Sequence, residues 1–304
     1  MTRPQPIVIG RTGQLARAIA QQASLDGAEP VFLGRPDLDL LANPDTWSAL
    51  AECVDTARID SHEPVVINTA AYTDVRKAES APQDARLLNA VAAGRLAEFC
   101  AASQTCLIHV STDYVFAGDA DRPYRETDPT CPATVYGRTK LEGELAVRAV
   151  SDNHLILRTA WLFSPFGRNF LRTMARLADQ GASPQVVVDQ TGCPTSAVDL
   201  AAALLDMAGQ VAAGSPARGT YHYCGRDILS WNEFAARIFG AVSGERAMNR
   251  VRPASTADYE PAMLRPAYSP LDCQAIANDF GIEQPALDAA IARDLAQLKR
   301  LTGN

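Results

Sequence analysis

Ile7-Val8-Ile9 is followed by the helix-patterned stretch Leu15 to Ser24, Val31-Phe32-Leu33 by Pro44 to Ala57, and Val65-Val66-Ile67 by Gln83 to Ala102, before a further apolar run from Cys106 to Val110. Strands that are apolar throughout must be covered on both faces. The alternation therefore predicts an α/β protein built on a doubly wound parallel sheet. Asn43 and Pro44 supply a cap and a first-position proline for the second helix. After another strand, His154 to Leu157, prolines and glycines become frequent and isolated strands such as Val186 to Val188 and Tyr221 to Tyr223 stand among helices. Residues 1–160 are read as the sheet domain, open to completion by elements from about 186–212, and residues 161–304 as a smaller C-terminal α/β substrate lobe.

The chain has 304 residues, 47% of them hydrophobic, enough for a large core and against disorder. The net charge is −7 and the 28 Lys and Arg are spread thinly, which disfavours a sequence-independent grip on nucleic acid. Seven cysteines form no C-x-x-C pair, and several lie in apolar runs. They are expected to be reduced, mostly buried thiols, and no zinc framework is visible. No run is long enough to span a membrane, and no leader pattern stands at residues 1 to 10. The expectation is a soluble cytoplasmic protein, with no nucleic acid or membrane partner, existing as a monomer or homodimer.

Gly10-Arg11-Thr12-Gly13-Gln14-Leu15-Ala16 follows the first strand. A strand-turn-helix unit offers unpaired N–H groups and a positive dipole end, and glycine lets a pyrophosphate approach the backbone. Gly10 and Gly13 suit that task, with small Ala16 in the place of a third glycine. The turn alone is a weak signal, since a tight βα turn needs no ligand. Where the second strand ends, an acid would accept from ribose hydroxyls, but the chain has Gly34-Arg35. Arginine suits a 2′-phosphate, so NADPH is preferred, with NADH possible. Asp39 and Leu40 are placed to touch the adenine.

Tyr136 and Lys140 are four apart in a helix running from about Val135 to Ala149 and share one face. A neighbouring ammonium favours the phenolate, which suits Tyr136 as a general acid, and Lys140 can also hold the nicotinamide ribose, so that Tyr136 and Lys140 are expected at the cofactor too. On its own, Y-x-x-x-K is common on surface helices. It gains weight from the preceding strand, which ends in Ser111-Thr112-Asp113 at the carboxyl edge where doubly wound sheets bind ligands. A Thr112 hydroxyl there would stabilise charge developing on a carbonyl oxygen under hydride attack.

Together these residues resemble the extended short-chain dehydrogenase/reductase superfamily. The resemblance narrows to the dTDP-4-dehydrorhamnose reductase family through Gly10-x-x-Gly13-Gln14-Leu15, Asn68 to Thr73 with Lys77-Ala-Glu79, Leu88-Asn89, Ser111 to Phe116, Tyr136-Gly-x-Thr-Lys-Leu141, Arg158-Thr-x-Trp161, Asp189-Gln-x-Gly-x-Pro-Thr195 and Arg265-Pro-x-x-Ser269-x-Leu271. It implies a Rossmann-like domain with a nucleotide-sugar lobe and reduction of the C4 ketone of a dTDP-linked 4-keto-6-deoxyhexose. By the same resemblance Gly10, Gly13, Gln14 and Leu15 contact the cofactor pyrophosphate region. Ala70, Ala71 and Tyr72 line the cofactor where the fourth strand ends, and Thr112, Tyr136 and Lys140 form the triad. Trp161 packs near the sugar, Asp113 and Asn89 belong to the substrate site, and Arg265 reaches the nucleotide diphosphate. Arg76, Tyr268 and Pro270 depart from the family pattern, in loops expected on the substrate side. Some members hold magnesium, but no acids map to such a site here and no metal is assigned.

Sugar dehydratases of the superfamily carry Asp-Glu after the threonine, whereas this chain reads Thr112-Asp113-Tyr114, which disfavours dehydration. The alternatives are another nucleotide-deoxysugar 4-ketoreductase and, in another class, a regulatory subunit similar to the β subunit of methionine adenosyltransferase. His62, His109, His154 and His222 are isolated and read as structural. Ser230-Trp231-Asn232-Glu233 reads as a capping box, and Glu142 and Glu144 are expected to face solvent.

Overall fold

The computed structural model describes residues 3–26, 29–259 and 265–303. Its centre is a parallel sheet of β1 (Arg3–Ile9), β2 (Val31–Leu33), β3 (His62–Asn68), β4 (Cys106–Thr112), β5 (His154–Thr159) and β6 (Gly219–His222), in the spatial order β6-β5-β4-β3-β1-β2. Alternate residues of each strand enter opposite cores. Val8, Val65, Ile67, Ile108, Leu155 and Leu157 face one side, packed with α1 (Gln14–Asp26) and a later helix, Ala197–Ala212. Ile7, Ile9, Val66, Leu107 and Ile156 face the other, under α2 (Ser48–Ile59), α3 (Ala92–Ala102) and α4 (Val135–Val150). This is the doubly wound sheet that the apolar runs require.

The sheet reverses direction beside β1, with β2 on one side and β3 on the other. Ligands of open α/β sheets bind outside the carboxyl ends of strands at such a point. Here those ends are Gly10 and the segment after Asn68. The line Ala70 to Tyr72 therefore follows the third strand in the chain, not the fourth.

Two further local expectations change. Asn43 caps only the 3-10 turn Pro44–Thr46, accepting from Asp45 N. The α-helix begins at Ser48, because Trp47 breaks the run to bury its indole, with Nε1 donating to Asp39 O at 3.1 Å. The stretch from Pro82 to Ala102 is helical but includes a π turn at Leu87–Val91.

The C-terminal half divides its contributions. Helix α6 (Ala197–Ala212) and strand β6 join the large sheet layer, whereas α5 (Phe170–Asp179), α7 (Trp231–Ser243) and α8 (Leu287–Thr302) enclose a separate apolar core around Phe163, Phe234 and Ile291. The capping box at the start of α7 is present, with Ser230 and Glu233 bonded reciprocally. Among the described residues no helix is long and apolar enough to cross a membrane.

Candidate active site

Gly10 has φ +123°, a value L side chains rarely adopt, and a Cβ there would run into the Thr69 hydroxyl. The turn thus brings the ends of β1 and β3 into contact, with Thr69 Oγ1 donating to Ile9 O at 2.9 Å. Gly13 has open space beside it at the N-terminus of α1, and these features fit a dinucleotide pyrophosphate. Ala16 is buried in helix and has no positive φ, so the missing third glycine costs nothing. Leu15 packs into the core, and Gln14 ties the turn to the lobe, accepting from Ser164 Oγ at 3.1 Å.

Arg35 is exposed at the end of β2, and Arg11 lies against Gly34 in an ion pair with Asp37. Sequence reasoning missed Arg11, although its place between the two turn glycines is the available signal. Leu40 is buried beside Trp47, and Asp39 accepts from Leu41 N at 3.0 Å, so both side chains shape the segment after β2.

The start of α4 is pinned from two directions. Thr134 accepts from Gly137 N, and Glu79 of the Lys-Ala-Glu motif accepts from Val135 N at 2.7 Å. Gly137 has no room for a side chain, since a Cβ would collide with Tyr114 O. The helix consequently sits tight against the end of β4, and Tyr136 in its first turn meets Tyr114 edge to face at 5.5 Å. Thr112 is the last residue of β4, its hydroxyl donating to Asp113 Oδ1 at 3.0 Å and accepting from Tyr114 N.

Desolvation raises the Tyr136 phenol above its ordinary value, opposed by its hydrogen bond with Thr112. The expected lowering by Lys140 does not contribute, and the lysine Nζ lies against β4. It donates to Val110 O at 2.7 Å and lies 3.2 Å from His109 Nε2. Burial in turn lowers Lys140 to about 8, against the raising effect of Glu144, and raises Asp113 to about 6.

Glu144 is fully buried, contrary to its expected exposure, while Glu142 does face solvent. Ser111 and Arg158 project from the sheet face that α4 covers, and a buried guanidinium requires a counter-charge. Glu144 provides it through bonds of 2.9 and 2.7 Å, and takes the Ser111 hydroxyl at 2.6 Å.

Asn89, in the π turn, accepts from Tyr72 N at 2.7 Å and donates to Tyr72 O and Thr139 Oγ1. It builds the wall of the site and does not project into it. Trp161 holds φ +46° and stacks on Trp231 with ring centroids 3.7 Å apart. For a bulky residue such a backbone is strained. Trp231 follows the capping serine, as its sequence context predicts, and also lines a cavity of about 260 Å³ with Arg76, Phe170, Gln190, Thr256 and Arg265. The departures Tyr268 and Pro270 hold a strap in place, through Tyr268 N to Gly118 O and Tyr124 N to Pro270 O, both 2.9 Å.

A parallel sheet with a glycine turn at its reversal point, and a threonine, tyrosine and lysine gathered at the end of the fourth strand, define an oxidoreductase of the short-chain dehydrogenase/reductase type. Residues 5–300 match the family model described as the RmlD substrate binding domain. A dTDP-4-dehydrorhamnose reductase of Sinorhizobium fredii is 40% identical over 291 residues, covering 94% of this chain and 95% of that protein. The crystal structure of a dTDP-4-dehydrorhamnose reductase from Clostridium acetobutylicum superposes with a TM-score of 0.83 at 32% identity, covering 97% of this chain and 99% of the other. One from Bacillus anthracis, in complex with NADP, gives 0.83 at 30% identity, with 98% and 100% covered. The chain belongs to the dTDP-4-dehydrorhamnose reductase family.

Proposed function

We propose that this protein reduces the C4 ketone of a dTDP-4-keto-6-deoxyhexose with NADPH, converting dTDP-4-dehydro-L-rhamnose to dTDP-L-rhamnose. The observation that carries the reading is the meeting of Thr112 and Tyr136 where the Lys140-bearing helix crosses the end of β4, in a chain of this family. NADPH supplies the hydride. Gly10, Gly13 and the α1 N-terminus hold its pyrophosphate, Arg35 and Arg11 its 2′-phosphate, and Ala70 to Tyr72 the wall beside it.

Thr112 donates a hydrogen bond to O4 of the sugar, and Tyr136 gives its phenol proton to the same atom as charge develops there. Lys140 lies on the Tyr136 face of α4 and supplies the proton that restores the phenol. Asp113 takes a sugar hydroxyl. Arg76 and Arg265 offer cations for the diphosphate at the aromatic cavity around Phe170 and Trp231, with Trp161 closing the sugar side. Residues 1–160, completed by α6 and β6, serve as the cofactor domain, and the remainder as the sugar-nucleotide lobe. The cysteines are mostly buried thiols, in keeping with the cytoplasm as its location.

Tyr136→Phe removes the proton donor while keeping the ring contact with Tyr114. Its kcat is expected to fall by about 10²- to 10⁴-fold, with NADPH affinity kept. Wild-type turnover by this variant would refute the assignment. A regulatory subunit would instead show no turnover with any ketosugar and would co-purify with its synthetase at fixed stoichiometry.

A further inference from the structure

Asn68 and His109 are directly paired neighbours in the parallel register of β3 and β4, so their side chains stand side by side on the sheet face that α4 covers. Both are buried, with 2% and 1% of their surface exposed, as is Lys140 at 2%. Polar groups so deeply enclosed must satisfy one another, and the order of their bonds fixes where the protons lie.

The chain of bonds begins at the backbone. Ala70 N donates to Asn68 Oδ1 at 3.1 Å, and since a backbone N–H can only donate, this sets which way the amide faces. Asn68 Nδ2 then points at His109 Nδ1, 3.1 Å away. An amide nitrogen is a donor only, so Nδ1 must accept and the neutral ring carries its proton on Nε2. Burial, Lys140 and His154 all push the imidazole well below its ordinary value, so the ring stays neutral. Nε2 lies 3.2 Å from Lys140 Nζ.

An ammonium has three N–H groups and no lone pair, so it would set N–H against N–H at this contact. A neutral amine accepts from Nε2–H and still donates to Val110 O. We propose that Asn68 and His109 are a positioning pair for Lys140, presenting it with a donor in place of an acceptor and making its ammonium readier to release a proton. The inference rests on the catalytic reading of Tyr136 and Lys140.

The charged and titratable groups around the amine are consistent with it. On its own helix Glu144 favours the ammonium, but that carboxylate is held by Arg158 from β5 and Arg148. Tyr136 shares its helix, His109 from β4 faces the amine, His154 from β5 acts on His109, and Asp113 acts on Tyr136. In the reaction Tyr136 loses a proton to O4, the Lys140 ammonium returns one to the phenolate oxygen, and the amine left behind takes the Nε2–H bond of His109. The amine regains its proton from solvent before the next turnover.

Nitrogen-15 NMR of the histidine-labelled free enzyme reads the tautomer directly, with His109 assigned by its loss in His109→Gln. An unprotonated Nδ1 and a protonated Nε2 are expected from about pH 6 to about pH 9. A proton on Nδ1, in either the neutral or the charged ring, would overturn the proposal.

The shape-conserving Asn68→Asp supplies the second arm. Its carboxylate accepts from His109 Nδ1 and leaves a lone pair on Nε2 for the ammonium. The alkaline limb of kcat/KM for NADPH should then move up by about one pH unit. A folded variant whose rate falls equally at every pH, with the limb unmoved, would contradict it. If Tyr136→Phe proved fully active, the catalytic reading would fail while the NMR result still decided the state of His109.

Discussion

Arg11 and Arg35 bracket Gly34 where the second strand ends, and Asp37 steadies Arg11. Each guanidinium offers a charge-assisted bond to a 2′-phosphate and none to a ribose hydroxyl that needs an acceptor. Arg35→Asp together with Arg11→Ala should lower kcat/KM for NADPH by about tenfold or more while leaving that for NADH within a few-fold. Equal losses with both cofactors would remove these residues from 2′-phosphate recognition.

Asp113 belongs to the same scale. Its folded value near 6 stands above the ordinary carboxylate value because burial penalises the charge. A raised acid contributes stability that is present below the unfolded value and is lost as pH rises through about 6. Asp113→Asn should therefore be more stable than wild type at pH 8, by up to about 3 kcal/mol, with the advantage vanishing at pH 4. Thermal melts at the two pH values check this, and a lower Tm at pH 8 would contradict it.

What the sequence disclosed at this level was residue type and spacing, which were enough to single out Thr112, Tyr136 and Lys140 as candidates. It did not disclose that Lys140 would be held by His109. That contact depends on how α4 packs across β4, and a single histidine in an apolar strand carries no mark of it.

Helix α4 is an element whose start and covered face have different jobs. Its N-terminus is capped by Thr134 and Glu79, and its covered face carries Lys140 and Glu144 down onto Asn68, His109, Ser111 and Arg158. Polar residues at these strand positions interrupt otherwise apolar runs and are reasons for Glu144 to be buried. Replacing Glu144 with Gln leaves the Arg158 charge without its partner, which typically costs about 3–5 kcal/mol. A drop in denaturant midpoint without a change in slope would show it, and an unchanged midpoint would mean the ion pair contributes nothing net.

Element identity was legible where periodicity was strong, as in the strands of the sheet and in α4. Boundaries were lost where one side chain overrode the pattern. Trp47 is the clear case, since its burial delays α2 by a turn, and no local propensity signals that the indole will reach Asp39 O. The reading of Trp231 failed differently. Its place after a capping serine was correct, but its stack on Trp161 arises from segments seventy residues apart that only the fold brings together.

On the scale of the whole molecule, the sheet supplies a cofactor edge, and Phe170 of α5 and Trp231 of α7 meet Arg76 and Arg265 at an aromatic and cationic cavity. The alternation of strands and helices made the first of these legible. The second was reachable only through family resemblance, because its residues come from distant segments with no common period. α6 and β6 return from the C-terminal half to finish the sheet layer, so a boundary drawn at one chain position describes the molecule less well than a boundary drawn between cores.

The central claim is the identity of the reaction. Its most direct test is NADPH oxidation, followed by the absorbance of the reduced nicotinamide, with dTDP-4-dehydro-L-rhamnose generated in place from dTDP-glucose by the upstream dehydratase and epimerase. Turnover that requires the epimerase, with dTDP-L-rhamnose as product, is the predicted result. NADPH binding without oxidation of this ketosugar, or equal turnover with the epimerase omitted, would contradict the account.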